Sequence, residues 1–332
     1  MSEAGALAAR VRRGAGCFAL SDRALVEVSG GDRVRWADGM LSNDVKALEP
    51  GPERSGCEAL LLTPQGRIVA DLHVLARPEA LWLELPAAAR DELLTRLEKF
   101  IVADDVTLHD QSGAWCRFAL EGPRSAEWLA RAAGAPPPPL APDSGCELEL
   151  AGVPALACAW GWSGEVAYQL FAPSVAADAV RAVLEAAADD DLVQGDAEAL
   201  EVLRIEAGLP RFGAELGQDV LPAEVGLVGR AVSVTKGCYT GQEIVARMAA
   251  RDAAAHRLVG LRFDGPGAVP GDPLRADGSE LGEVTSRCHS ARAGEIGLGF
   301  VRRAHAVPGA RFEAAGERAH VAPLPFVEPA PT

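Results

Sequence analysis

The sequence predicts an α+β body followed by a small β-barrel. Over residues 1–250, alternating apolar and polar runs typical of strands are interleaved with apolar residues at spacings of three and four, which are typical of amphipathic helices. From residue 256 to residue 312 the pattern changes to short strand-like runs separated by glycine and proline, with no helical period. A chain of 332 residues is long enough for about two domains. We therefore expect a body at residues 1–250 and a barrel at residues 251–332.

The first hundred residues predict a strand, a helix and a β-hairpin. Pro64, Gln65 and Gly66 form the tip of the hairpin, because proline and glycine favour tight turns. The predicted elements, in order, are a strand at residues 25–28, a helix at 34–41, hairpin strands at 58–62 and 67–75, a strand at 80–85 and a helix at 91–101.

The rest of the body predicts four further helices among short strands. Ser174 is expected to cap an alanine-rich helix that runs to about residue 188, and Asp196 to cap a helix that ends at Gly208. A proline-rich connection at residues 136–142 is expected to be extended and exposed. The helix capped by Asp196 is expected at 197–207. The other expected elements are helices at 125–133 and 243–248 and strands at 106–108, 115–120, 146–150, 155–160 and 166–171.

The charge balance excludes several classes of function. With 32 Lys and Arg against 47 Asp and Glu, the net charge is −15, which disfavours binding to nucleic acid and to anionic membranes. Charges interrupt every apolar stretch well before the roughly 18 residues needed to span a bilayer. The N-terminal residues also lack a secretory signal pattern. We expect a cytoplasmic protein with no direct membrane association.

The seven cysteines do not form a metal-binding pattern. They lie far apart in the sequence, with no Cys-x-x-Cys pair and no Cys/His spacing typical of zinc or iron–sulfur ligands. We expect no intrinsic metal, and thiols that mostly behave as small apolar residues in a reducing compartment.

One segment concentrates residue types that are scarce elsewhere in the chain. Residues 235–243 read Thr-Lys-Gly-Cys-Tyr-Thr-Gly-Gln-Glu and contain one of three lysines and one of two tyrosines. Cys238 lies between Lys236 and a predicted helix start, two features that favour a nucleophilic thiolate. The alternative is an inert cysteine in a structural loop, and the sequence alone does not separate the two. The other members of this motif are Gly237, Tyr239, Gly241, Gln242 and Glu243.

A second segment, Leu-Arg-Ile-Glu-Ala-Gly-Leu-Pro-Arg-Phe-Gly at residues 203–213, runs from a helix end into a glycine-flanked loop. Together the two segments resemble the folate-dependent superfamily of the glycine-cleavage aminomethyltransferase, and the string at residues 236–243 resembles its YgfZ branch. Similar strings occur at residues 24–45, 63–72 and 161–171 and in the C-terminal barrel, so the resemblance covers most of the chain.

This resemblance implies a ring-like body of two intertwined ferredoxin-like subdomains, a C-terminal barrel, and tetrahydrofolate or a derivative as the cofactor. For the YgfZ branch it implies an accessory protein that assists assembly or repair of iron–sulfur clusters, including those of tRNA-modifying enzymes. Its partners would be folate and the client enzymes or assembly proteins. The alternative within the same superfamily is a folate-dependent aminomethyl or methyl transferase.

Two carboxylates are the first candidates for the site. The resemblance places Asp71 where aminomethyltransferases have paired aspartates, and Ala70 shows that one member of the pair is missing. Because proton transfer at a folate nitrogen needs a nearby carboxylate, we expect this loss to weaken transferase chemistry. Asp71 either contacts the cofactor, as a catalytic group, or caps the hairpin. Glu165 corresponds to a glutamate that binds the pterin edge in a fork, with a solvated turn residue as the alternative.

The remaining candidates are weaker. Arg204 corresponds to the superfamily arginine near folate, where its guanidinium suits a carboxylate or a pterin oxygen. The alternative for Arg204 is an ion pair with Glu201 or Glu206. Trp162, Asn43 and Arg67 are expected to line the folate cleft.

Overall fold

The computed structural model describes residues 2–52, 55–251 and 254–331. Its body is built from two antiparallel-rich sheets, each covered by helices on one face. The first half of the body contains α1 (Glu3–Val11), β1 (Ala15–Ala19), β2 (Arg23–Ser29), α2 (Arg33–Met40), β3 (Gly56–Leu62), β4 (Ile68–Ala76), β5 (Ala80–Pro86), α3 (Arg90–Glu98) and β6 (Thr107–Asp110).

The second half of the body supplies most of the other sheet. It contains β7 (Trp115–Glu121), α4 (Ser125–Ala133), β8 (Gly145–Leu150), β9 (Val153–Cys158), β10 (Ala167–Pro173), α5 (Ala177–Ala186), β11 (Leu192–Gln194), α6 (Ala197–Ala207) and α7 (Gln242–Arg251). The proline-rich connection joins α4 to β8.

The chain crosses between the two sheets. Strands β2 to β6 form a five-stranded sheet in the order β3-β4-β5-β2-β6, while β1 joins β7 to β11 in a six-stranded sheet of order β11-β1-β7-β10-β9-β8. The two subdomains are therefore intertwined, as expected. The outer face of the five-stranded sheet packs on α2 and α3, and that of the six-stranded sheet on α4 and α5.

The inner faces of the two sheets pack against each other. Leu25, Leu75 and Trp82 of the five-stranded sheet share one apolar cluster with Phe171 of the six-stranded sheet and with Trp160, which follows β9 of that sheet. His73 of β4 stacks on Trp160, with ring centroids 4.3 Å apart and an interplanar angle of 10°. Residues 71, 73 and 75 of β4 therefore point into the inter-sheet space, because side chains alternate along a strand.

The caps at α5 and α6 test two sequence predictions. The Asp196 carboxylate accepts the N–H of Ala199 at 2.7 Å, and Gly208 ends α6 at a φ of 73°, so both predictions for this helix are confirmed. The prediction for Ser174 is wrong. Ser174 begins a short 3₁₀ turn after β10, and α5 starts at Ala177 without a side-chain cap.

The C-terminal region forms a closed six-stranded barrel, which confirms the predicted fold class. Its strands are β12 (His256–Phe263), β13 (Pro273–Ala276), β14 (Ser279–Ser290), β15 (Gly294–Arg302), β16 (Arg311–Ala314) and β17 (Glu317–Ala322). They close in the order β12-β15-β14-β13-β16-β17, since β12 pairs with both β15 and β17. The domain boundary expected at residues 250 and 251 adjoins residues 252 and 253, which lie outside the described residues.

Within residues 2–52, 55–251 and 254–331, no helix is long and apolar enough to cross a membrane.

Candidate functional site

A cavity of about 810 Å³ opens where the β1–β2 connection, α6 and barrel strand β14 meet. This volume is in the range of small-molecule sites, roughly 300–1,000 Å³. Its wall combines apolar and aromatic surfaces with arginines, among them Phe18, Arg23, Trp162, Arg204, Phe212 and Arg287. Of the residues that the sequence predicts for the site, the cavity wall includes Trp162 and Arg204.

Arg23 connects this cavity to the inter-sheet space. The Arg23 guanidinium lies 5.6 Å from the centre of the Trp162 ring, a cation–π distance. It also forms a two-pronged ion pair with the buried Glu84 of β5, with Nη2–Oε2 at 2.9 Å. Arg117 of the opposite sheet contacts the same carboxylate. Burial alone would raise the pKa of Glu84, but Arg117 and Arg23 outweigh it and hold the carboxylate ionised. The two sheets are thus joined by a charged cluster.

Arg204 lies at the cavity wall, but its donors are already used. Its Nε and Nη2 bond the Glu201 carboxylate, and Nη1 donates to Glu215 at 3.0 Å and to the Leu209 carbonyl at 3.2 Å. Nη2 also donates to Ser286 of the barrel. A guanidinium has five N–H groups, and these contacts account for all of them. The ion pair with Glu201 is therefore formed, and Arg204 binds α6 to the barrel.

Glu165 is neither solvated nor part of the cavity wall. Its side chain is 2% exposed, with Oε1 2.9 Å from Nη1 of Arg12 and Oε2 accepting the N–H of Ala330 at 2.8 Å. Arg12 also pairs with Glu206 at 2.9 Å. In this arrangement each carboxylate oxygen already has a partner, so the forked pterin contact expected from the sequence would have to share or replace these contacts.

Asp71, unlike Arg204 and Glu165, has a polar atom without a hydrogen-bond partner among the described residues. It lies on the inner face of β4, while Ala70 packs with the apolar core under α2 and α3. The Asp71 Oδ1 atom is buried without a hydrogen-bond partner among the described residues. Burial raises the pKa of Asp71, and the nearby Arg23 guanidinium only partly offsets this. The hairpin turn is closed by Thr63, whose carbonyl and hydroxyl accept the N–H groups of Gly66 and Arg67.

The alternation along β4 corrects the expectation drawn from Ala70. A carboxylate at position 70 would point into the helix-side apolar core, on the opposite face from Asp71. Its replacement by alanine therefore removes no group from the space that Asp71 faces. Of positions 70 and 71, this chain carries its carboxylate at Asp71, on the inner face of the strand.

Lys236, in the motif at residues 235–243, holds the backbone of the α2 region. Its side chain is 1% exposed, and Nζ bonds the carbonyls of Leu41 at 2.9 Å, Asn43 at 2.8 Å and Asp38, together with the Asp38 carboxylate. Burial lowers the pKa of Lys236 while Asp38 acts in the opposite sense. The ammonium group is therefore engaged away from Cys238, and this part of the argument for an activated thiol is lost.

Other residues of the motif pack against the hairpin tip. Tyr239 is buried in an apolar cluster with residues of β3 and β4, and Gly241, at a φ of 83°, allows the loop to approach the tip closely. A Cβ at Gly241 would lie 2.6 Å from the Thr63 carbonyl oxygen. The motif and the hairpin tip therefore form one packed unit. Gln242 begins α7, and Glu243 pairs with Arg247 on its exposed surface.

Cys238 and its neighbour Gly237 are exposed at the outside of this packed unit. The other six cysteines are buried or half-buried. Burial raises the pKa of Cys17, Cys57 and Cys288 to about 12. Cys238 is therefore the most accessible of the seven thiols.

Asn43 and Arg67 lie outside the cavity wall described above. The Asn43 amide donates to the carbonyls of Glu58 and Arg230, so it fixes local backbone. Arg67 borders a second, more open cavity of about 640 Å³ between the hairpin tip and the barrel. In the part of the chain that the structure describes, no group of three or more His, Cys, Asp or Glu side chains is arranged to hold a metal ion.

Several residues of the site were not found by sequence reasoning. They are Arg12, Arg23, Glu84, Arg117 and Glu121. Four of them share a signal that was readable in advance: a charged residue inside or at the end of an otherwise apolar strand, as in Ala-Leu-Trp-Leu-Glu-Leu-Pro around Glu84. A charge in such a place is costly unless it is paired, so it marks a buried polar cluster.

Comparison with known proteins agrees with this architecture. Residues 4–236 match the model of the GCVT N-terminal domain, and residues 256–328 match that of the glycine cleavage T-protein C-terminal barrel domain. An aminomethyltransferase from Cutibacterium acnes is 32% identical over 304 residues, covering 88% of this chain and 80% of the relative. One from Geobacillus kaustophilus is 32% identical over 326 residues, covering 95% and 88%.

The fold comparison gives the same result. The crystal structure of the glycine cleavage system aminomethyltransferase T from Bartonella henselae superposes with a TM-score of 0.87 at 24% identity, covering 98% of this chain and 90% of that one. The chain belongs to the glycine cleavage T-protein family, a family of aminomethyltransferase-like, folate-binding proteins.

Proposed function

We propose that this protein is a folate-dependent transferase that moves an aminomethyl or methyl group. The observation that carries the proposal is the position of Asp71, whose unpartnered carboxyl oxygen faces the inter-sheet space beside Arg23. The relatives named aminomethyltransferase support this function more strongly than the accessory role that the sequence placed first. The absence of a carboxylate at position 70 no longer argues against it.

The described residues fit tetrahydrofolate in part. Trp162 and Phe212 offer flat apolar surfaces for a bicyclic ring and its aromatic extension, and the buried Phe18 lies behind the cavity wall. The unpartnered Oδ1 of Asp71 offers a hydrogen bond that folding leaves unused. Glu165 and Arg204, by contrast, offer no free atoms, so their part in binding stays a prediction. Bound reduced folate would supply the ring nitrogens that accept a one-carbon unit.

Asp71 would hold and release the proton in this reaction. A buried carboxyl with a raised pKa keeps a proton closer to neutral pH than an exposed one, which suits general acid–base work. Arg23 limits that rise and, through Glu84, remains fixed relative to both sheets. The role of Arg23 is therefore to position and tune, while Asp71 carries the proton.

Two measurements test this function. Calorimetry with tetrahydrofolate should show saturable binding, and an assay with aminomethyl-loaded carrier protein should show turnover that Asp71→Asn abolishes. Asp22→Asn is the matched control, because Asp22 is exposed and lines the cavity of about 810 Å³, whose wall does not include Asp71. Absence of folate binding, or turnover that survives in Asp71→Asn, would overturn the proposal.

The exposed thiol favours a second candidate function. Cys238 is presented by a loop fixed at Lys236 and Tyr239, which suits contact with another macromolecule. The alternative proposal is a tetrahydrofolate-binding accessory protein of the YgfZ branch that acts in the cytoplasm on iron–sulfur client enzymes or assembly proteins. In a deletion strain, Cys238→Ser would then fail to restore iron–sulfur enzyme activity while folate affinity remained unchanged. Full restoration by this variant would remove the candidate.

A further inference from the structure

Glu121, at the end of β7, is a fully buried carboxyl that no proposed chemical step uses. Its Oε1 accepts the backbone N–H of Trp162 at 3.1 Å, and its Oε2 accepts the N–H of Ser163 at 3.0 Å and the Ser163 hydroxyl at 2.5 Å. Within the described residues, no Lys, Arg or His forms an ion pair with it. Its hydrogen bonds are therefore all directed at the loop of residues 161–165.

The loop is shaped closely around this carboxyl group. A Cβ at Gly161 would lie 2.5 Å from Oε1 of Glu121 and 2.3 Å from Cβ of Ala167, so only glycine fits. Ser163 in turn accepts the N–H of Glu165 at its hydroxyl and the Arg12 guanidinium at its carbonyl. The conformation of the whole loop thus depends on the acceptors that Glu121 provides.

Trp162 is the residue of this loop that reaches the cavity. Its indole forms part of the cavity wall and lies against the Arg23 guanidinium. Its backbone N–H is bound by Glu121, so the carboxyl group controls where the indole sits. The carboxyl itself lies beneath the loop and is absent from the residues of the cavity wall.

We propose that Glu121 is a positioning residue that fixes the Trp162 indole as a stacking surface for a flat heteroaromatic ligand. The identity of that ligand, a reduced folate, rests on the proposed function. A buried carboxyl with no direct ion pair, here influenced by Arg12 only at longer range, is costly and is retained only where several donors compensate. Three donors from one loop do so here, which explains why a glutamate occupies this strand end.

A double-mutant cycle with Trp162 tests the role. Glu121→Gln keeps the size of the side chain but replaces one acceptor oxygen by an N–H₂ group that faces the loop donors. We expect about tenfold weaker tetrahydrofolate binding, the effect of about 1.4 kcal/mol. In a Trp162→Phe background the same change should cost less than about twofold, because residues acting through one another are not additive. Equal losses in both backgrounds would overturn the proposal.

A spectroscopic measurement makes the test independent of folate. Protein labelled with 5-fluorotryptophan has six resonances, one per tryptophan, and Trp162→Phe assigns that of Trp162. Glu121→Gln should move this resonance and leave the other five in place. Glu149→Gln, at an exposed position in the same sheet, is the control. If the Trp162 resonance stays in place, or all six move together, Glu121 has a general structural role and the proposal is wrong.

Two further outcomes are distinguishable. If Glu121→Gln does not fold, Ser163→Ala removes the hydroxyl that donates to Glu121 and accepts the N–H of Glu165, and it must move the Trp162 resonance for the proposal to stand. If the wild-type protein does not bind tetrahydrofolate, the proposed function fails, but the fluorine spectra still decide whether Glu121 positions Trp162.

Discussion

The inter-sheet space around Asp71 and the junction between α1 and α6 around Glu165 differ in how far their polar groups are satisfied. Both carboxylates are associated with the same ligand by resemblance. Both oxygens of Glu165 have partners in Arg12 and Ala330, whereas Oδ1 of Asp71 has none among the described residues. Because a buried acceptor without a partner destabilises the fold, such a group is retained for another reason. We therefore expect a structural role for Glu165 and a chemical role for Asp71.

The largest expected effect is on turnover by Asp71→Asn. Asparagine has nearly the same shape but cannot exchange a proton at this position, so we expect the rate of one-carbon transfer to fall by roughly 10²–10⁴-fold. The unfolding free energy should change little or rise, since no hydrogen bond to Oδ1 is lost. Wild-type turnover in this variant would show that Asp71 has a structural role and does not carry the proton.

Glu165→Ala should show the reverse pattern. Removing this carboxylate leaves the buried Arg12 with Glu206 as its remaining anionic partner and leaves the N–H of Ala330 unbonded. We expect the unfolding free energy to fall by about 3 kcal/mol, as for other broken buried ion pairs. Urea denaturation measures this loss, and calorimetry measures folate affinity in parallel. If stability is unchanged while affinity falls, Glu165 binds the pterin and the forked contact predicted from the sequence is correct.

Smaller effects follow from the pH dependence of stability. The pKa of Asp71 is raised in the folded chain above its ordinary value of 3.8. The folded state therefore holds this proton more tightly, a contribution that is complete below the ordinary pKa and is lost as pH rises through the folded one. Asp71→Asn lacks this loss, so its stability relative to the wild type should increase with pH across that range.

Urea midpoints measured over a pH series check the direction. Asp22→Asn, which changes the same charge at an exposed position, corrects for the net charge. A difference between wild type and Asp71→Asn that stays constant with pH would mean that burial does not raise the pKa of Asp71.

Sequence periodicity predicted most helices and strands of the body, because apolar spacing reflects which face of each element is buried. The hairpin tip and the Asp196 cap followed from local residue types. The cap at Ser174 failed because a 3₁₀ turn intervenes before α5. The site was harder to predict, since Arg204 and Lys236 are saturated by partners brought together only by the fold. The significance of Ala70 also needed the observed strand faces.

The smallest expected effect on stability is that of Cys238→Ser. Since Cys238 is exposed on the outside of its loop, the substitution should change the unfolding free energy by less than about 0.5 kcal/mol.

In competition alkylation of the folded protein, followed by mass spectrometry, Cys238 should react first. Three of the other six thiols are disfavoured twice, because burial restricts access to Cys17, Cys57 and Cys288 and raises the pKa of each to about 12. Cys288 is the sharpest internal control because it borders the folate-sized cavity, so tetrahydrofolate should slow its alkylation further and leave that of Cys238 unchanged. Protection of Cys238 by folate would instead place the thiol beside the ligand. The ligand site would then include the loop at residues 235–243 as well as the region around Asp71.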